Sequence, residues 1–507
     1  MSQKLTRSLF ILLLASSLTG CSLVPLRSVV NAPQSTIIQT PENFYAQENT
    51  ESAPNLEQDI QFALVDGIHW VRHFNSKELE LLIEQGHANN PNLAITATRV
   101  LDSQVLASIS SGQRLPNLNT GLTAARSKAN VSGNSIIGDN FDLGLSSQWE
   151  VDLWGKLRDQ NKADVLYVKA SQQLYSAAKL SLSANIAKGY FNVLTEIELL
   201  RLAEQNTKNI ERIEAITVRS FKRGLVNALD VQLARRDLAN AKRALLTQQN
   251  TSRIAVRNLE VFLGKYPEGN ADFTHSLPAL PEQLTVGVPA QVLERRPDLQ
   301  AAALQMLASE KDVQAARNAL LPSIVLSASG GTNTADLKNI FDKDFSVWSI
   351  LGNLSQPLLN RSALKGNLEL EKNAQERAKL EYIDLALRAM NEVETTLASE
   401  NSLRQQVIEL PTARDYAKQS SLQAQQQYEK GLVNANTLLS TETQYLNAEQ
   451  ALLQIQNQIL QNRVSLYVAL GGDNETDLDS RTGSSVSVLN RQPATEITGQ
   501  ASSGGIL

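Results

Sequence analysis

Apolar residues recur at alternating steps of four and three along several long stretches of the chain. Ile186, Tyr190, Val193, Ile197 and Leu200 form one such seam, and Ile383, Ala386, Met390, Val393 and Leu397 another. Tyr445, Ala448, Leu452, Ile455, Ile459, Asn462, Leu466 and Ala469 form a third. This heptad spacing puts one side of a helix on a partner and leaves Gln, Asn, Glu and Arg on the other. Residues 117 to 266 contain no proline, and between 156 and 263 the only glycines are Gly189 and Gly224. A helix over 156–222 would therefore run unbroken for about 100 Å. A second pattern interrupts the first. Phe141, Leu143, Leu145, Trp149, Val151 and Leu153 occupy odd positions, with Asp142, Gly144, Ser146, Gln148, Glu150 and Asp152 between them. That period of two predicts a strand, with Leu118, Thr120, Leu122 and Ala124 as a weaker neighbour and further strands near 323–331 and 343–356.

The two patterns occur twice. Gly224-Leu225-Val226-Asn227-Ala228 returns 207 residues later as Gly431-Leu432-Val433-Asn434-Ala435, and Leu263-Gly264 as Leu470-Gly471. Upstream, an offset of 206 pairs Pro91 with Pro297 and Leu115-Pro116 with Leu321-Pro322. A shared register over two long segments marks a tandem repeat. Each half predicts a helix (about 76–112, then about 298–320), two short strands, a very long helix, a tight turn and a return helix. In each turn a glycine can take the left-handed cap, an asparagine (Asn227, Asn434) can cap the next helix, and Val226 or Val433 can staple onto Val231 or Leu438. The domain boundaries expected are a first repeat at 76–270, a linker at 271–297, a second repeat at 298–472 and a Gly/Ser/Thr-rich tail at 473–507.

A strand apolar on one side and polar on the other over about a dozen residues suits a membrane barrel, which needs about 9–11 residues per crossing. Four strands cannot close a barrel, and an open lumen needs more than eight, so three or more copies would have to share one. Half-buried strands of a soluble sheet carry the same alternation.

Composition adds exclusions. The net charge of −5 gives no basic surface for nucleic acid. No phosphate loop or nucleophile elbow is present, which argues against an enzyme and gives no cofactor site. His69 and His73 stand four apart, but no carboxylate–histidine set accompanies them, so no metal site is assigned. Arg295 and Arg296 read either as partner contacts or as the solvated start of a helix. At the amino end, Lys4 and Arg7 precede a short apolar run, Leu9 to Ala15, and then Leu18-Thr19-Gly20-Cys21. The run is too short to span a bilayer and reads as an export signal over 1–20. Cys21, the one cysteine, then stands where a bacterial lipoprotein is lipidated, followed by an anchored extended segment, 21–75. Ser22 fits retention at the outer membrane.

These residues together resemble the TolC-like outer membrane factor family, most of all its lipoprotein branch that partners resistance-nodulation-division pumps. The resemblance runs from Cys21 to about Gly472. It rests on Pro289-Ala290-Gln291-Val292-Leu293-Glu294-Arg295-Arg296-Pro297-Asp298-Leu299, on Glu150 through Arg158, and on Gly431-Leu432-Val433. It implies a mainly α protein with a membrane β-barrel: a homotrimer with twelve strands in outer-membrane lipid and a twelve-helix periplasmic tunnel. Loops at about 127–139 and 333–342 would face outside. The tips at Gly224, Leu225, Val226, Gly431, Leu432 and Val433 would meet a periplasmic adaptor protein that joins the channel to an inner-membrane pump. In many relatives an acidic ring lines the entrance. Here the matching positions are Thr437 and Ser440, and only Asp230, in the first repeat, keeps an acid at the equivalent of Thr437. This departure from the family pattern predicts a neutral constriction lined by Asn436 and Ser440, with Glu442 nearby as a partial substitute. The function expected is a passive exit channel for drugs or other small solutes. The same architecture could serve protein secretion, and a pore-free structural lipoprotein is the reading in which the alternating strands are not a barrel.

Overall fold

The fold was obtained as a computed structural model, which describes residues 67–131, 134–270, 273, 276–280, 292, 294–359 and 361–472. The signal segment, Cys21 and the tail lie outside the described residues. After a 3₁₀ segment at Gly67–Phe74 come α1 (Lys77–Asn89), α2 (Pro91–Gly112), β1 (Asn117–Val131), β2 (Asn134–Val151), α3 (Lys156–Lys222) and α4 (Ala228–Phe262). The second repeat supplies α5 (Pro297–Asn318), β3 (Ser323–Thr334), β4 (Ser346–Ser355), α6 (Arg361–Glu429) and α7 (Ala435–Ala469). The strands form one antiparallel sheet in the order β1-β2-β3-β4.

Several boundaries differ from those read in the sequence. The single helix expected over 76–112 breaks at Asn90, because Pro91 excludes helical geometry from the residue before it. Residues 127–139, expected as an outside loop, are mostly strand: β1 runs to Val131, where it pairs with Asn134 of β2. The polar composition of this stretch hid its pairing. Far from short, β1 and β2 have 15 and 18 residues. The fourth strand starts at Ser346, after short 3₁₀ turns at Leu337–Asn339 and Lys343–Phe345.

The break at Asn90 builds a junction. Asn90 Oδ1 accepts from the N–H groups of Asn92 and Leu93 at the start of α2, and its Nδ2 donates to Phe262 O at the end of α4, 2.9 Å away. One side chain thus serves orphan groups of two helix ends and sets α2 on top of α4. Arg296, 206 residues on, does the same for the second repeat. Its guanidinium donates to Ala469 O at the end of α7 and pairs with Asp298 (2.8 Å) in the first turn of α5 and with Glu392 (2.6 Å) of α6. Arg296 is buried, so it is an internal clamp. The long helices α3 and α6 contact both halves of these stacked pairs.

The main core lies where the chain enters this wall. Trp70, Phe74, Leu79 and Ile83 pack on Ile186, Tyr190, Phe191 and Leu194 of α3, on Leu259 of α4 and on Leu460, Val464 and Tyr467 of α7. His73 Nδ1 lies 2.6 Å from the Tyr467 hydroxyl. The heptad seams thus face this core and the neighbouring helices.

Candidate functional site: a two-faced sheet and two hairpin tips

Register decides what the sheet can do. Leu118 stands opposite Ser147, Leu122 opposite Leu143, and Ala124 opposite Phe141. Trp149 stands opposite Leu326, and Val151 opposite Ile324. Ile324 in turn faces Leu354, Ala328 faces Ile350, and Gly330 faces Trp348. Directly paired residues point to the same side, so these apolar side chains share one face across all four strands. Asn119, Thr123, Asp142, Ser146, Gln148, Glu150, Ser327, Ser329, Asn333 and Asn353 share the other, a mainly polar face that also holds Val325, Val347 and Leu351. Among the described residues nothing covers the apolar face: Leu118 is 71% exposed, Trp348 78% and Ile350 75%.

The apolar face also has two ends. Beyond Ala124 and Phe141, the next pair on the same side is Arg126 with Asp139, an ion pair at 3.5 Å. At the helix end, the Trp149 indole N–H donates to Arg114 O and that of Trp154 to Pro322 O. From Phe141 to Val151 the strand climbs about 34 Å. Tilted by about 40°, it would rise about 26 Å, close to the apolar band of about 25 Å on outer-membrane barrels. A four-stranded sheet exposing a hydrocarbon-high apolar face, with unpaired edges at β1 and β4, is built for lipid and for more strands.

Comparison with known proteins decides the family. The sequence model of the family described as outer membrane efflux protein matches residues 82–265 and 288–472, more than half of the chain and both repeats. The chain belongs to the outer membrane efflux protein family. It is an outer-membrane component of an efflux system and extends into the periplasm. It is 26% identical over 461 residues to the cation efflux system protein CusC of Escherichia coli K12, covering 90% of this chain and 97% of that one. It is 28% identical over 425 residues to the pyoverdine export outer membrane protein OpmQ of Pseudomonas putida, covering 81% and 89%. The fold matches the solved outer-membrane channel OprN with a TM-score of 0.78 at 24% identity, over 87% of this chain and 99% of that one. It matches the CmeC outer membrane channel of Campylobacter jejuni with a TM-score of 0.79 at 22% identity, over 88% and 97%.

Within this efflux protein, each hairpin tip is a short glycine turn. Gly224 and Gly431 have φ of 74° and 71°, and their N–H groups bond to Phe221 O and Tyr428 O. Asn227 and Asn434 cap the returning helices. Leu225 and Leu432 are each 72% exposed, whereas Val433 packs beside Leu438 and Tyr428 in the small core behind the tips. Asp230 closes a capping box, its carboxylate accepting from the Asn227 N–H at 3.1 Å. Thr437 bonds to Asn434, and Asn436 and Ser440 are exposed on the first turns of α7. Glu442 is engaged inside the hairpin pair: it accepts from Asn209 of α3 at 2.8 Å and from the Ser421 hydroxyl.

Sequence reading missed three further ties. The Tyr428 and Thr217 hydroxyls share a buried hydrogen bond of 2.7 Å between α6 and α3. Glu400 pairs with Arg463 and with Arg404, both carboxylate and Arg463 being buried. Lys188 of α3 borders a groove formed with α6 and α7. None carries a motif, since each depends on helices far apart in the chain. Among the described residues, no three His, Cys, Asp or Glu side chains converge as a metal cage.

Proposed function

We propose that three copies of this chain close one twelve-stranded barrel in the outer membrane and one twelve-helix tunnel beneath it, and that this homotrimer is the passive exit duct for small solutes. The observation that carries the reading is the sheet: one coherent apolar face, one polar face and two open edges. Four strands per copy reach a barrel only by sharing, and twelve strands leave a water-filled lumen where eight would be filled by side chains. The polar face then lines the lumen.

The duct does no chemistry and has no energy source of its own. An inner-membrane pump supplies the drive. A periplasmic adaptor protein grips the tips at Gly224–Val226 and Gly431–Val433, where two exposed leucines per copy offer an apolar surface. Asn436, Thr437, Ser440 and Asp230 line the narrow end. Cys21 carries a lipid that holds the amino terminus in the outer membrane. Opening requires the two hairpins of each copy to part, and the Tyr428–Thr217 and Glu442–Asn209 bonds are the contacts that resist it. The relatives named for cations and for pyoverdine differ little in similarity to this chain, which supports leaving the choice of solute to the pump.

The test is conductance. The purified protein in a planar bilayer should give steady steps of ionic current without added partners or nucleotide. Proteoliposomes that take up the protein yet pass no ions would contradict the duct.

A further inference from the structure

The helical wall has two unlike faces at the level of the main core. On α3, Ile186, Tyr190 and Leu194 point into that core. Lys188 lies two residues from Ile186 and from Tyr190, about 200° round the helix from each. It therefore projects from the opposite side. On α7, Leu460 and Val464 enter the core, while Gln458, Gln461 and Ser465 flank them on the far side. The far side carries a groove of about 720 Å³, bordered by Lys188, Ser399, Ser402, Gln458, Gln461 and Ser465 among others, with no acidic residue along it. Among the described residues no carboxylate pairs with Lys188. Burial holds its ammonium below the ordinary lysine range, with no charged neighbour contributing. Glu392, a turn away from the groove on α6, is already bound to Arg296.

A half-buried cation among hydroxyls and amides lacks its counter-charge. The Ser399 and Ser402 hydroxyls and the Gln458 amide can donate to an anion, as the ammonium does, while the Ser465 hydroxyl donates to Gln461 O and the Gln461 amide to Asn457 within α7. We infer that Lys188 and the hydroxyl and amide groups around it form an anion-binding station on the lumen wall, taking chloride or the carboxylate or phosphate group of a passing solute. This rests on the trimeric duct. The station requires the face packed on the Trp70–Ile83 core to be the outside of that assembly, so that the groove faces the water path and three Lys188 side chains act at one level. A ring of like charge in a narrow water path concentrates counter-ions.

The test is ion selectivity in planar bilayers under a KCl gradient. Relative to the wild type, Lys188→Gln should lower the chloride-to-potassium permeability ratio about twofold, and Lys188→Arg should retain it. Inorganic phosphate should reduce the wild-type current more than that of Lys188→Gln. Ser399→Asp, which leaves the lysine in place and supplies the missing carboxylate, should reproduce the loss and guards against a misassembled Lys188→Gln. Unchanged ratios and an unchanged phosphate effect in conducting Lys188→Gln and Ser399→Asp channels would overturn the station while leaving the duct intact. Absence of current in the wild type would overturn the duct itself.

Discussion

Gly224 and Gly431 show how much a single residue decides in this chain. Both hold φ near +70°, and a methyl group at either would meet no atom within 4 Å. The cost of Gly→Ala there is therefore conformational, about 1 kcal/mol per site. Thermal melting of the extracted protein should show a small loss for Gly431→Ala and a smaller one for Gly431→Asn, since asparagine tolerates the left-handed region. The Glu400–Arg463 pair is a harsher case. Glu400→Ala leaves a buried cation and should cost about 3–5 kcal/mol, whereas Glu400→Leu with Arg463→Met should recover most of it. His73 carries a sign for pH. Burial, and to a lesser degree the charge of Arg463, hold its pKa below the ordinary 6.5. The unfolded chain then binds the extra proton more readily. The contribution is present above about 6.5 and is lost as pH falls through the folded value. The melting temperature should drop on acidification, and His73→Gln should flatten that dependence.

At the scale of elements, the sheet tests its own register. Ile350 and Ser349 are neighbours on β4 that face opposite sides. Ile350→Lys places a charge on the apolar face and should cost about 2–4 kcal/mol near mid-membrane, seen as loss of heat-resistant oligomer from the outer-membrane fraction. Ser349→Lys should be tolerated. Equal effects of the two would mean that the sheet does not meet lipid on one side only. The hairpins were the most legible elements, because heptads, glycine turns and asparagine caps are local signals repeated at a fixed offset. The span of α3, Lys156–Lys222, follows from the absence of proline and glycine. The overhang of β1 on β2 past Ala124 was not legible, because its residues are polar and only the pairing of Lys128 with Ile137 and Asn130 with Ser135 makes them strand. The stacking of α2 on α4 was equally hidden, since Asn90 reads as a cap for one helix and reveals its second role only when Phe262 O is beside it.

On the scale of the whole molecule, the apolar sheet face and the exposed leucines ask for surroundings that one chain does not provide. The proposed assembly answers the first with lipid and the second with a periplasmic adaptor. Leu432→Asp should abolish efflux in cells while leaving oligomer and surface levels normal, and normal efflux would remove the tips from the docking surface. Membership of the efflux family was legible from the repeat and from the stretch around Arg295-Arg296-Pro297. The entrance chemistry was less so, because Asp230 and Glu442 are acids whose hydrogen bonds to Asn227 and Asn209 appear only in the fold. The central claim is that four strands per copy become twelve by assembly. It is tested most directly by the native mass of the detergent-extracted outer-membrane protein. A mass of three chains is the result expected. A single chain or a pair, stable at low detergent and high protein concentration, would contradict the shared barrel.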